Sequence, residues 1–139
     1  MNMKKVFLVL SLLLSLGTFC ACSNEEEDNI SVSQNQAWER VKMSVLNNQL
    51  DNINVYVSKN TIQPNTIVET YGEEDKSPNY ESWLFFIDDI PYGNWGHPCR
   101  YVYVNIVGGN YEVHDNSMPP KSLGNYITLV EMPLEIWNE

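Results

Sequence analysis

An α+β fold, with one N-terminal helix packed on an antiparallel sheet of about four to five strands, is what this sequence predicts. Three observations carry the prediction. A single amphipathic stripe of helical period lies near residues 33–52, alternating or continuous apolar runs of strand length follow it, and Gly- or Pro-marked turns separate those runs. No segment of 20–50 residues recurs, so a solenoid or repeat array is not expected.

The helix is read from its start signal. Ser33-Gln34-Asn35-Gln36 has the spacing of a capping box, in which the Ser33 hydroxyl accepts from the Gln36 amide while the Gln36 side chain reaches back. Val32 and Ala37 stand where a hydrophobic staple would close the entry. Trp38, Val41, Val45, Leu46 and Leu50 then recur on one face of about four turns, which places the helix end near Asn52.

Strands account for the rest. Ile53 to Ser58 and Ile67 to Tyr71 are rich in β-branched and aromatic residues, with a turn at Pro64-Asn65 between them. Gly72 to Asn79, with three consecutive acids and Ser77-Pro78, reads as a solvated, mobile loop. Trp83 to Ile87 is continuously apolar, as expected of a central strand covered on both faces, and Trp83 is expected beneath the Trp38-Val41-Val45 stripe. Arg100 to Val107 alternates, with Tyr101 and Tyr103 on one face and Val102, Val104 and Ile106 on the other. Gly108-Gly109-Asn110 turns this strand into Tyr111 to His114, Met118-Pro119-Pro120 stops the hairpin, and Tyr126 to Glu131 supplies a last strand before a short tail ending in Trp137.

The residues ahead of the helix read as an address. Lys4 and Lys5 precede an apolar run from Val6 to Leu16 that is too short for a permanent membrane span, and small residues lead to Ala21-Cys22. Residues 1–21 are expected to be a lipoprotein signal peptide, with cleavage before Cys22, which becomes the acylated N-terminus carrying chains such as palmitate. Phe19 and Cys20 depart from the usual Leu and small residue of that motif, and bulky Phe19 directly precedes Cys20. Each buried CH₂ of an acyl chain supplies about 0.8 kcal/mol, so several chains anchor a protein that lacks a membrane helix. Residues 22–32, including Glu25-Glu26-Glu27-Asp28, form an acidic lipidated tether, and 33–139 is expected to be one α+β domain.

Charge and cysteine usage exclude several functions. The chain carries 18 acidic and 8 basic residues, net −10, and losing Lys4 and Lys5 with the leader makes the mature surface more acidic still. Such a surface repels phosphate backbones and anionic headgroups, so no nucleic acid partner is expected and the membrane is engaged only through the lipid. A basic protein or peptide is the favoured partner. With Cys22 acylated and Cys20 removed, Cys99 is the last thiol and no internal disulfide can form, leaving the aromatic-rich core to hold the domain.

Three constellations could carry chemistry. Trp95-Gly96-His97-Pro98-Cys99 invites a nucleophile reading, with His97 or His114 as base to Cys99, but His97 and Cys99 stand two apart across a proline and need not meet in space. The same residues with Asp88, Asp89 and Asp115 could ligate a metal, yet no CxxC or HExxH spacing supports this, and Asp88-Asp89 also suits turn formation before Pro91 and Gly93. No pair of acids is singled out for glycoside hydrolysis and no phosphate-binding glycine motif is present. Neither a catalytic residue, nor a metal, nor a cofactor is therefore expected. Tyr92-Gly93-Asn94-Trp95-Gly96 puts two large amphipathic rings among glycines between core strands, so Tyr92, Asn94, Trp95 and His97 are the candidate partner-binding residues. The loop could insert into a partner, or fold back over the sheet edge and join the core.

The leader and acidic tether resemble those of Bacteroides-type surface lipoproteins. The capped helix, the Trp83-led strand and the strand, Gly108-Gly109, strand pattern resemble the PepSY and related propeptide-type modules of exported proteins, although His97-Pro98-Cys99 is no part of that pattern. The resemblance implies a non-enzymatic lipoprotein at the outer membrane, displayed on the cell surface, that binds another protein and inhibits an exported streptopain-like cysteine protease. The alternative is a small-ligand or glycan-binding module in which Trp95, Tyr92 and Tyr101 form an aromatic platform.

Overall fold

The computed structural model describes residues 30–133, so the leader, Cys22, the tether up to residue 29 and the tail at Trp137 lie outside the described residues. Among the described residues one helix, α1 (Gln34–Ser44), begins well into the chain and precedes seven strands: β1 (Asn54–Ser58), β2 (Ile67–Val68), β3 (Asp75–Lys76), β4 (Ser82–Asp88), β5 (Cys99–Asn105), β6 (Tyr111–Asn116) and β7 (Tyr126–Val130). Five strands form an antiparallel sheet in the order β6-β5-β4-β1-β7, and β2-β3 form a small second sheet. The fold is α+β.

The capping box is present in full: the Gln36 amide donates to Ser33 Oγ at 3.3 Å, and the Ser33 amide donates to Gln36 Oε1 at 2.9 Å. The helix ends earlier than its stripe predicts, at Ser44 rather than near Asn52. Asn47 and Asn48 adopt left-handed backbone (φ 51° and 59°), and the Asn48 amide donates back to the Lys42 carbonyl at 2.8 Å, closing a C-terminal cap. Leu46 and Leu50 still reach the core, but from the turns beyond the helix.

Alternation sorts the sheet into two cores. Ala37 and Val41 of α1, with Leu46, pack on Val55, Val57, Phe85, Ile87, Val102 and Val104. Trp38 stacks on Phe85 with ring centroids 6.2 Å apart. Full burial of each such side chain contributes about 1.5–3 kcal/mol relative to exposure. Trp83 only half-buries at the margin of this core, where its indole N–H donates to the Val32 carbonyl at 2.9 Å; Phe85 holds the position expected of it beneath the helix.

The opposite face buries Leu84, Phe86, Cys99, Tyr101 and Tyr103, covered by Tyr56, Ile62, Val68 and Tyr126. β4, the continuous apolar run, is therefore the central strand with both faces occupied. Gly108 and Gly109 turn β5 into β6 at φ 79° and 70°, a conformation that a side chain disfavours.

Two expectations on this second face are corrected. Ile67 to Tyr71 is not one strand: Ile67–Val68 pair with β3, inside the acidic stretch expected to be a mobile loop, and Thr70 bridges Pro120. Asp75, Ser77 and Pro78 are buried. The Tyr103 hydroxyl donates to Asp75 Oδ2 at 2.5 Å and His114 Nδ1 lies 3.1 Å from both Asp75 oxygens, while Ser77 Oγ accepts from the Thr66 amide at 2.8 Å and donates to the Gln63 carbonyl at 3.0 Å. An acid that finds two donors is drawn inward, and the chain on either side of it follows. Burial, with Asp75 beside it, holds the Tyr103 hydroxyl well above the usual tyrosine range.

Candidate functional site

The segment joining β4 to β5 carries all four candidate residues. At its start Asp88 Oδ1 accepts from the Ile90 amide at 3.1 Å, the turn chemistry expected of this acid, and the Gly93 amide donates to the Ile90 carbonyl at 2.8 Å. His97 then closes the loop from within. Its Nδ1 donates to the Asn94 carbonyl at 2.8 Å, its Nε2 donates to Asp88 Oδ1 at 2.8 Å, and its amide donates to the Ser117 carbonyl at 3.0 Å. Both ring nitrogens face obligate acceptors, so the doubly protonated imidazolium satisfies the site best.

Glycines make this closure possible. A Cβ on Gly93 would stand 2.9 Å from the His97 ring, and Gly96 sits at φ 76° with Met118 beneath it. Next door, Arg100 binds Asp89 through Nε at 2.9 Å and through its terminal nitrogen at 2.5 Å, a bidentate pair that ties the start of β5 to the residue just after β4.

The loop does not fold back into the core. Trp95 is 78% exposed and Tyr92 58% exposed. Trp95 meets Tyr71 edge to face, with centroids 5.3 Å apart and planes at 87°. Together with Asn94, Pro119 and the loop glycines they line an open groove of about 350 Å³. A larger depression of about 560 Å³ runs beside α1 between Ile30 and Met43, and none of the four candidate residues lines it. Of those four, the structure brings Asn94, Trp95 and His97 to the groove, with Tyr92 exposed on the same loop.

Tyr101 is corrected. Its ring is fully buried against Phe86 and its hydroxyl donates to the Met118 carbonyl at 2.9 Å, so it takes no part in an exposed aromatic platform. Tyr71 and Pro119 are site residues that the sequence did not single out, and nothing local marks Tyr71 as the neighbour of Trp95; Asp88 was expected to serve the turn, and its hold on His97 was not.

The other reactive groups are separately engaged. Cys99 is buried at the first position of β5, its thiol donates to the Met118 carbonyl at 3.4 Å, and burial pushes its pKa up to about 12. His97 is held by Asp88, whereas His114 lies against Asp75 of β3. Among the described residues no three His, Cys, Asp or Glu side chains converge as metal ligands.

The His97 contacts have a pH signature. Its hydrogen bond to the Asn94 carbonyl, and secondarily Asp88 and Asp89, raise its pKa over the opposing effect of burial. A raised folded-state pKa contributes stability that is fully present below the unfolded value of about 6.5 and is lost as pH rises through the folded value. The wild type should therefore exceed His97→Gln in melting temperature by more near pH 5.5 than near pH 9. A difference that does not change with pH would show that folding leaves the His97 pKa at its unfolded value.

No family model matches this chain, and no curated protein or solved structure matches it either.

Proposed function

We propose that this chain is a non-enzymatic lipoprotein, anchored in the outer membrane through acyl chains on Cys22 and displayed at the cell surface, whose Tyr92–His97 loop binds another protein. Trp95 is the observation that carries the reading. A tryptophan with most of its area in water, on a loop closed by His97 and packed on Met118, is an anchor whose ordering cost is met before any partner arrives. The perpendicular Tyr71–Trp95 pair and the burial of Tyr101 favour an inserting anchor over a flat stacking platform for sugars. Burial that keeps the Cys99 thiol protonated at neutral pH speaks against its use as a nucleophile.

The partner we propose is an exported cysteine protease, which the chain inhibits; this choice rests on the propeptide-like layout of the sequence. Incubating the leaderless protein with secreted cysteine proteases of the same cell should give a complex and loss of peptidase activity at micromolar concentration. Absence of both would remove the inhibitor role.

Anchoring has its own test. Cys22→Ala should abolish metabolic acyl labelling and leave the protein without its lipid, whereas labelling that persists would move the modification to Cys20.

A further inference from the structure

We infer that the groove between Trp95 and Tyr71 receives a cationic side chain, Arg or Lys, from an extended segment of the partner. The inference rests on the binding role proposed for this loop and adds the chemistry of what enters it. The walls are aromatic and apolar: Trp95 at 78% exposure, Tyr71 at 54% and Pro119. An exposed indole face attracts a cation through the ring quadrupole, and a guanidinium or an alkyl-ammonium stem also covers the apolar wall.

Charge around the groove selects the sign. The cations of the loop are already committed, His97 to Asp88 and Arg100 to Asp89, as is Lys121 to Glu69 at 3.6 Å; Lys76, exposed on β3, follows the acids of the neighbouring turn. Glu73 and Glu74 follow Tyr71 in the turn that Thr70 closes by donating from Oγ1 to the Glu73 carbonyl at 2.7 Å. Both are exposed, as is Asp115 on β6, which leads into the 116–119 segment along which the loop is fastened. None of these three carboxylates has an ion-pair partner among the described residues. An aromatic groove whose adjoining chain segments carry exposed, unpaired acids complements a basic segment. It repels a second copy of this chain, whose own net charge is −10, and any anionic surface.

The test uses the ¹⁵N-labelled leaderless protein and follows the Trp95 indole N–H while tri-arginine amide, tri-citrulline amide or maltotriose is added. Tri-arginine amide should shift that resonance, and its affinity should fall about tenfold between low and high salt, where screening shortens to a few ångströms. Glu73→Gln/Glu74→Gln, two exposed changes whose folding a melt verifies, should weaken the same binding about fivefold. An equal response to the uncharged citrulline peptide, or no response to arginine, overturns the inference; if a protein partner is nonetheless captured through Trp95, the binding role of the loop stands without it. A Trp95 shift with maltotriose alone overturns both and makes the groove a sugar site.

Discussion

Phe85→Ala should lower the unfolding free energy by about 3–5 kcal/mol, enough to remove a large part of the roughly 5–15 kcal/mol that holds a small domain together. Phe85 is fully buried in the central strand, stacks on Trp38 of α1 and stands between Val57 on β1 and Val102 on β5. Removing the ring opens a cavity where the only described helix meets the sheet, and neither neighbouring strand can close it without giving up its register. Cys99 is free, and no disulfide among the described residues limits the unfolded chain. Trp83→Ala should cost less, because its ring is half-exposed and its chief specific contact is the hydrogen bond to Val32. Urea denaturation of both variants checks the ranking, and a larger loss for Trp83 would place the centre of the helix-side core nearer the β4 entrance than the packing indicates.

Trp95→Ala should separate stability from binding. The ring touches Tyr71 and otherwise faces water, so the variant should melt within a few degrees of the wild type. Its affinity for a protein partner should nevertheless fall by about 2 kcal/mol or more, roughly thirtyfold, as expected when an aromatic anchor is truncated. Melting curves and binding isotherms on the same preparation read both quantities. A stability loss comparable with that of Phe85→Ala would make Trp95 a core residue, and unchanged affinity would release the loop from its role.

Local chemistry was legible in the sequence, and long-range chemistry was not. The capping box needs only residues 33 and 36, and the two-faced burial of β4 follows from an apolar run that no amphipathic element could carry. The alternation of β5 likewise assigned Tyr101 and Tyr103 to one side and Val102 and Val104 to the other. The helix end was missed because Leu46 and Leu50 keep the stripe going through turns that are no longer helical. β3 was missed because Asp75 is held by Tyr103, 28 residues away, and by His114, 39 residues away; read alone, Glu73-Glu74-Asp75 is a solvated charge run. The orientation of Trp95 was undecidable for the same reason. Glycines on either side permit it to turn in or out, and the choice is made by Asp88 and Met118 acting on His97 and Gly96.

The central claim is that Trp95 is held outward on an ordered loop, and ¹⁵N relaxation of the free protein tests it most directly. The amides of residues 93–97 should show order parameters near the about 0.85 of rigid backbone, matching β4 and β5, while a soluble paramagnetic probe broadens the Trp95 indole N–H. Order parameters below about 0.6 across these residues, or an indole shielded from the probe, would contradict it.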